Sequence, residues 1–414
     1  MHESASTFVD NWSDLISRIL GDLDLDKLAF STRALRRKRG VPDALALLRL
    51  ALARGPGGLS LRDAAAWAHM AQVAELTDAS LNDRLHQSCE FLAAVAAAML
   101  QAKTPGCCFR WPGRVLRISD GSCVSKPGSK GTDWRVHAVY DLGAGGFSHF
   151  ELTDKHGAEA LDRGAAIPGE IRLADRNYSN AKGLRRLRES VGKTGDADYL
   201  VRLRWSSLRL RGADDKKFDL AEHLRNMPAD KLTDDLVVWV EGAGAPMRTR
   251  IVIRRKSEEA AQAERQRLLS QARKKGKTLD PRSLLAAGFV VLATSLDAET
   301  YPADELLAMY RLRWQIELAF KRLKSLLNLD RLPARTEKGA RSWIWAHLIL
   351  AIATDDYSQD FLDSSPSGPA RRPIRPVDLA CPEDRHPALA CSSPGTHRRR
   401  MPQNRRRPLS PPAR

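Results

Sequence analysis

The fifteen residues YRLRWQIELAFKRLK, Tyr310 to Lys324, constrain this chain more than any other stretch. Within them Tyr310, Arg313, Glu317, Lys321 and Lys324 recur at i, i+3, i+7, i+11 and i+14, a spacing that a helix turns into one face. At about 100° per residue the five fall in a stripe roughly 80° wide. Leu312, Ile316, Ala319, Leu323 and Leu327 take the opposite side, so the polar stripe faces away from the main apolar contact. One acid is thereby set among four residues suited to phosphate. The plain alternative is a solvated face with ordinary pairs such as Glu317 with Lys321, each contributing about 0.3–0.5 kcal/mol. Pro302 opens the helix, which is expected to run unbroken from Ala303 to Leu327.

Two further acids stand upstream at the ends of β-type runs. Asp120 follows Arg117-Ile118-Ser119 and precedes Gly121-Ser122, where the glycine lets the backbone approach a bound ion or phosphate closely. Asp175 closes the run Ile171-Arg172-Leu173-Ala174 and leads, through Arg176-Asn177-Tyr178, into a helical stretch from about Asn180 to Ser190. Taken singly, an acid at a strand end is most often a turn-former. With Val115-Leu116-Arg117-Ile118 and Val136-His137-Ala138-Val139-Tyr140, these runs predict a mixed sheet flanked by helices.

The rest of the chain divides around that sheet. Residues 1–105 read as an N-terminal helical DNA-binding region, in which Gly55-Pro56-Gly57-Gly58 separates two groups of helices. Ser60 and Asp63 offer a helix cap, and Leu76-Thr77-Asp78 breaks that helix before Leu81, Leu85, Leu92, Val95 and Met99 resume it. Two helices joined in this way suit a helix-turn-helix or plain core packing alike. Residues 106–355 read as a region built on that sheet, carrying a β-rich insertion at about 195–295 that includes Leu236 to Val240 and Arg250 to Arg254. The insertion also holds a charged helix, about Ser257 to Lys277, whose RQR and RKKGK runs suit either phosphates or a solvated face. Residues 356–414 differ in kind: from Phe361 onward, 54 residues hold 11 of the 22 prolines and 11 arginines but no lysine, which predicts a disordered tail. Reading a GC-rich coding region in the wrong frame produces such a composition.

A net charge of +17 and a pI near 9.9 favour a polyanionic partner, nucleic acid above any small substrate. The N-terminus MHESASTFVD has no signal-peptide pattern, and the longest apolar stretch, Phe91 to Leu100, is too short to span a bilayer, so the expected location is the cytoplasm. The cysteines at 89, 107, 108, 123, 381 and 391 lack metal-site spacing and read as free thiols.

The spacing Y-x2-R-x3-E-x6-K, with an acid in D-G-S and another in A-D-R-N-Y before it, resembles the signature of the IS4-like DDE transposases of bacterial insertion sequences. The likeness covers about Leu61 to Leu350. It implies an RNase H-like α/β core in which Asp120, Asp175 and Glu317 are the catalytic, metal-binding carboxylates. It also implies Mg2+ or Mn2+ as cofactor, two ions serving an in-line phosphoryl displacement, because clustered oxygen-only ligands select such cations. Tyr310, Arg313 and Lys324 match the signature and would hold the terminal nucleotides of the element, Lys321 being an addition from the same stripe. The implied reaction is cut-and-paste transposition through nicking, hairpin formation and strand transfer, by a homodimer assembled on two terminal inverted repeats. Hairpin formation calls for a base flipped onto an aromatic ring. Counting back from the helix places Phe289 there, although a packing role at the start of Val290-Val291-Leu292 is its obvious alternative. Two other functions fit parts of the chain: a DNA-binding regulator or inhibitor of transposition made from an impaired copy, and a sequence-independent nuclease of the same fold.

Overall fold

In the N-terminal third, side chains cap the starts of four helices. Asp24, Asp43, Ser60 and Thr77 accept bonds from Lys27, Ala46, Asp63 and Ser80 backbone N–H groups, opening α1 (Leu25–Ser31), α2 (Ala44–Arg54), α3 (Leu61–Met70) and α4 (Asp78–Gln87). Caps of this kind contribute about 1 kcal/mol each. The expected helix through Met99 is broken once more, at Ser88, whose hydroxyl donates to the Leu85 carbonyl at 2.8 Å, and α5 (Cys89–Ala102) follows. The computed structural model describes residues 20, 23–102, 114–129, 131–192, 196–242, 244–326, 329, 332–334 and 336–364. All of them belong to one compact unit, residues 1–374.

One sheet of ten strands forms the centre: β1 (Val115–Val124), β2 (Trp134–Asp141), β3 (Gly146–Asp154), β4 (Glu170–Ala174), β5 (Asp198–Arg202), β6 (Arg209–Arg211), β7 (Lys217–Phe218), β8 (Thr233–Glu241), β9 (Met247–Arg255) and β10 (Phe289–Thr294). Their order is β3-β2-β1-β4-β5-β10-β9-β8-β6-β7. β1, β4 and β5 are parallel, and β2 is antiparallel to both β1 and β3. This five-strand arrangement is the RNase H-like α/β core that the resemblance implied. Every residue of β4 is buried, as its place between two parallel neighbours requires.

The segment expected as an insertion is continuous with that sheet. β5 and β10 lie inside 195–295 yet pair directly in the core, and β9 and β8 extend it beyond β10. The sequence shows strand runs there but not their partners, which is why they read as a separate piece. Between β9 and β10 come α8 (Glu258–Lys274) and α9 (Pro281–Ala286), preceded in the chain by α6 (Ala181–Glu189) and α7 (Leu220–Asn226).

The helix expected from Ala303 to Leu327 is two helices, α10 (Ala303–Arg311) and α11 (Trp314–Leu326). Between them Leu312, Arg313 and Gln315 N–H groups bond three residues back, to Met309, Tyr310 and Leu312, at 3.0–3.1 Å. That tightening changes the direction of the stripe at Arg313. Its apolar side behaves as expected where it is described, Leu312, Ile316 and Ala319 being buried.

The last helix, α12 (Glu337–Ser364), packs on α2, α4 and α5, and with α5 it covers β3. Phe91, Leu92 and Val95 of α5 and Ile344, Leu348 and Ile352 of α12 are all buried, each large apolar side chain contributing on the order of 1.5–3 kcal/mol. Helix α12 runs on through Ser364, past the expected end of order at 355. The remainder of the expected tail, 365–414, and the expected domain boundary at 105 lie outside the described residues. Among the described residues no helix is long and apolar enough to cross a membrane.

Candidate active site

Register brings the first two acids together. Ser119 of β1 pairs with Ala174 of β4, and the acid following each of them, Asp120 and Asp175, stands where the two parallel strands part. Asp120 is not at a strand end, as the sequence suggested: β1 continues to Val124 against β2, with Asp120 opposite Ala138. What ends at Ser119 is the pairing with β4.

Each acid has a local partner. Asp120 Oδ1 accepts from the Gly121 N–H at 2.8 Å. Asp175 caps a single 3-10 turn, Arg176–Tyr178, accepting from the Asn177 N–H at 2.7 Å, so it does form a turn as well. Glu317 lies in the first turn of α11, its side chain 55% exposed, and receives a hydrogen bond from the Arg313 guanidinium.

Electrostatics tie these elements to one place. Burial pushes the Asp120 carboxyl up to about 7, and the charges of Asp175 and Glu317 push the same way while the Gly121 N–H and Arg313 oppose them. Burial also raises Tyr310 to about 12, with Asp175 adding to it and Arg313 and Arg202 opposing. The Arg313 guanidinium carbon lies 5.9 Å from the centre of the Tyr310 ring. Burial works against the charge of Arg313, but Tyr310, Glu317 and Asp120 outweigh it and hold its pKa above the ordinary value.

Of the sequence-predicted residues, Asp120, Asp175, Tyr310, Arg313 and Glu317 therefore stand within mutual electrostatic reach. Lys321, exposed, and Lys324, half-buried, follow one and two turns further along α11. Phe289 is elsewhere: it is 4% exposed in the core beside β9, with the Arg255 guanidinium 4.7 Å from its ring centre, which is the packing role. Among the described residues no three acids, histidines or cysteines stand close enough to hold a metal ion.

Three neighbours escaped sequence reasoning. A Cβ on Gly121 would lie 3.2 Å from Glu159 Oε1, 3.5 Å from Arg135 Cδ and 3.5 Å from the Tyr178 hydroxyl, so these three side chains pack closely beside Asp120. The Tyr178 hydroxyl is buried with no hydrogen-bond partner among the described residues. Burial raises the Glu159 carboxyl, Asp175 adds to that, and Arg135 opposes it. Tyr178 stood in the A-D-R-N-Y run, whereas Glu159, in the connection from β3 to β4, carries no sequence signal. Arg172 fixes that connection, fully buried, bonding Glu170 and the carbonyls of Leu161, Arg163 and Gly164.

A family model, the transposase DDE domain, matches residues 111–353. The chain is 42% identical over 364 residues to the InsL transposase of insertion sequence element IS186A of Escherichia coli K12, an alignment spanning 86% of this chain and 96% of that protein. It is equally identical, over 365 residues and the same shares, to the transposase of element IS421 of Escherichia coli. The transposase of IS231B of Bacillus thuringiensis subsp. berliner is 26% identical over 244 residues, 53% of this chain and 48% of that one. Among solved structures, the piggyBac transposase in its synaptic complex with hairpin DNA superposes with a TM-score of 0.43 at 10% identity, covering 88% of this chain and 77% of that chain.

Proposed function

This chain belongs to the family of transposases built on the DDE domain, and on that footing we propose that Asp120, Asp175 and Glu317 are its catalytic carboxylates, with Tyr310, Arg313, Lys321 and Lys324 holding DNA beside them. Its relatives are transposases of insertion sequences, so its activity is DNA cleavage and strand transfer, and its partner is DNA. One observation supports the residue assignment above the others: Asp120, raised chiefly by burial, also feels the charges of both Asp175 and Glu317, although the three come from β1, the end of β4 and α11.

Enzymes of this family use divalent metal ions. The donor set fits such ions: the three acids offer oxygen only, which suits hard cations, and a buried acid raised by two neighbouring acids marks a place short of positive charge. We assign Mg2+ or Mn2+, two ions, to Asp120, Asp175 and Glu317, which would have to draw closer together than they stand here to hold them. Bound there, they supply activation of a water or 3′-hydroxyl and neutralise charge in an in-line displacement. The chain's own groups do the rest. Arg313 holds Glu317 on the face turned to Asp120 and offers a guanidinium fork to a phosphate. Asn177 fixes the Asp175 carboxylate through its N–H.

The hairpin route requires an exposed aromatic for a flipped base. Phe289 is buried, whereas Trp314, directly after Arg313, is 48% exposed, and the stacking role passes to it. Assembly as a homodimer on two terminal repeats, residence in the cytoplasm and DNA binding by the N-terminal helices complete the reading. A regulator without chemistry is not favoured, because the relatives matched over nearly their whole length are transposases.

The test is cleavage of a labelled duplex carrying a terminal repeat, with Mg2+ or Mn2+, by wild type and by Asp120→Ala, Asp175→Ala and Glu317→Ala. Nicking at the repeat boundary that each substitution abolishes supports the assignment; nicking that survives any of the three removes that residue from it.

A further inference from the structure

β4, β5 and β9 run in one direction and leave the sheet at the same edge, and each delivers a cation there. Ala174 pairs with Val201, so Asp175 and Arg202 are level on adjacent strands. Arg202 pairs with Leu292 of β10, whose other neighbour is Val252 of β9. Beyond this line the chain places Arg204 after β5 and Lys256 after β9, the latter's N–H bonded to the Gly288 carbonyl at 2.9 Å. Arg176 follows Asp175 directly, and Arg204 donates to the Asn177 side chain.

The charged helix α8 closes the group. Of its RQR run, Arg265 turns to Glu258 at 2.7 Å, while Arg267 binds Glu264 at 2.6 and 2.8 Å. Arg267 and Glu264 both act on Arg176 and on Lys256, so that face of α8 looks into the cluster. Five cations thus meet Glu264, which Arg267 already occupies, while Asp175 beside Arg202 and Glu159, on which Arg204 acts, lie toward the catalytic acids. Among the described residues Arg176, Arg202 and Lys256 have no ion-pair partner within 4.0 Å. Burial lowers the pKa of Lys256, and the neighbouring Arg202, Arg267 and Arg176 lower it further while Glu264 opposes them.

Like charges gathered in this way, with Arg176, Arg202 and Lys256 half-buried and Arg204 and Arg267 exposed, cost stability unless an anion joins them. We propose that Arg176, Arg202, Arg204, Lys256 and Arg267 form a binding site for the DNA phosphodiester backbone, joining the sheet's extension to the catalytic acids and seating the strand beside the bond that is cut. The ligand class is a run of backbone phosphates, read without base contacts. The location beside the scissile bond rests on the catalytic reading of Asp175; the anion site itself does not.

The experiment uses the full chain with Arg176→Gln, Lys256→Gln and both together, a fluorescent duplex of arbitrary sequence, and a salt series. Each substitution is expected to lower the slope of log Kobs against log salt by about 0.9 and to weaken binding about tenfold near ~0.1 M salt. Without DNA, the melting temperature should rise or hold, because a repelling charge has been removed. A double variant with the wild-type salt slope overturns the proposal, as does a fall in melting temperature with unchanged binding, which would mark the cations as structural. Nicking plays no part in either readout, so failure of the catalytic assignment and failure of this site are told apart.

Discussion

Arg313, in the turn between α10 and α11, is hydrogen-bonded to Glu317 one helical turn on while its guanidinium also acts on Asp120 and Tyr310. A single side chain therefore links the third acid to the first.

Replacing Arg313 tests that link. The pair is exposed at Glu317 and contributes only about 0.3–0.5 kcal/mol, but the Arg313 side chain is 19% exposed, so Arg313→Ala should cost about 1 kcal/mol, mostly in lost packing, and leave the protein folded. Nicking should nonetheless collapse, and Arg313→Lys should restore little of it, because a point charge cannot replace the fork. Full nicking by the lysine variant would show that charge alone suffices.

The raised Asp120 carboxyl predicts a pH dependence in the metal-free protein. Between its ordinary value of 3.8 and about 7 the folded state holds a proton that the unfolded state has lost. Stability is thus lost as pH rises through that window, by an amount on the order of a few kcal/mol. Asp120→Asn should remove this loss and melt higher than wild type at pH 8 without metal, while being unable to nick. Parallel melting curves across pH for the two proteins would refute the assignment.

His137 predicts the opposite slope. Burial, helped by Arg163, Arg135 and His149, lowers it from 6.5 to about 4, and its Nε2 lies 3.0 Å from the Thr153 hydroxyl. Between those values the unfolded state binds the proton, so this contribution is present above 6.5 and lost as pH falls toward 4. Denaturation midpoints of His137→Gln should fall less over that range than those of wild type.

Phe289 and Trp314 should separate stability from chemistry. Phe289→Ala opens the core and should cost about 3–5 kcal/mol by urea denaturation. Trp314→Ala, at an exposed position, should fold with near wild-type stability, nick normally and accumulate nicked DNA without hairpins. Hairpins formed at the wild-type rate by Trp314→Ala would remove the stacking role.

Chelation gives a simpler check. Excess EDTA should stop nicking while leaving binding to the duplex intact, since the cations of Arg176, Lys256 and the signature stripe are the protein's own. Loss of binding with EDTA would mean that metal organises the DNA surface as well.

Local chemistry was legible in the chain because it depends on near neighbours. The cap at Ser60, the break at Leu76-Thr77-Asp78, the buried run Ile171 to Ala174 and the apolar side of the signature helix follow from spacing and residue type. The Y-x2-R-x3-E-x6-K spacing suggested the family, and the matched family model and relatives show that family. Even the turn at Asp175 was foreseeable, since a short acid accepts the N–H two residues on.

Whatever depends on pairing between distant segments was decided only by the tertiary structure. Nothing in β5 or β10 says that they lie in the core sheet, because strand partners are set by long-range register, not by composition. The break at Arg313 arises where α10 and α11 must follow different surfaces, which helical periodicity does not encode. Glu159 and Tyr178 beside Gly121, and the five cations at the edge of β4, β5 and β9, are unremarkable in sequence. Their meaning comes from burial in common, where charges unscreened by water act on one another across gaps that the chain order does not show.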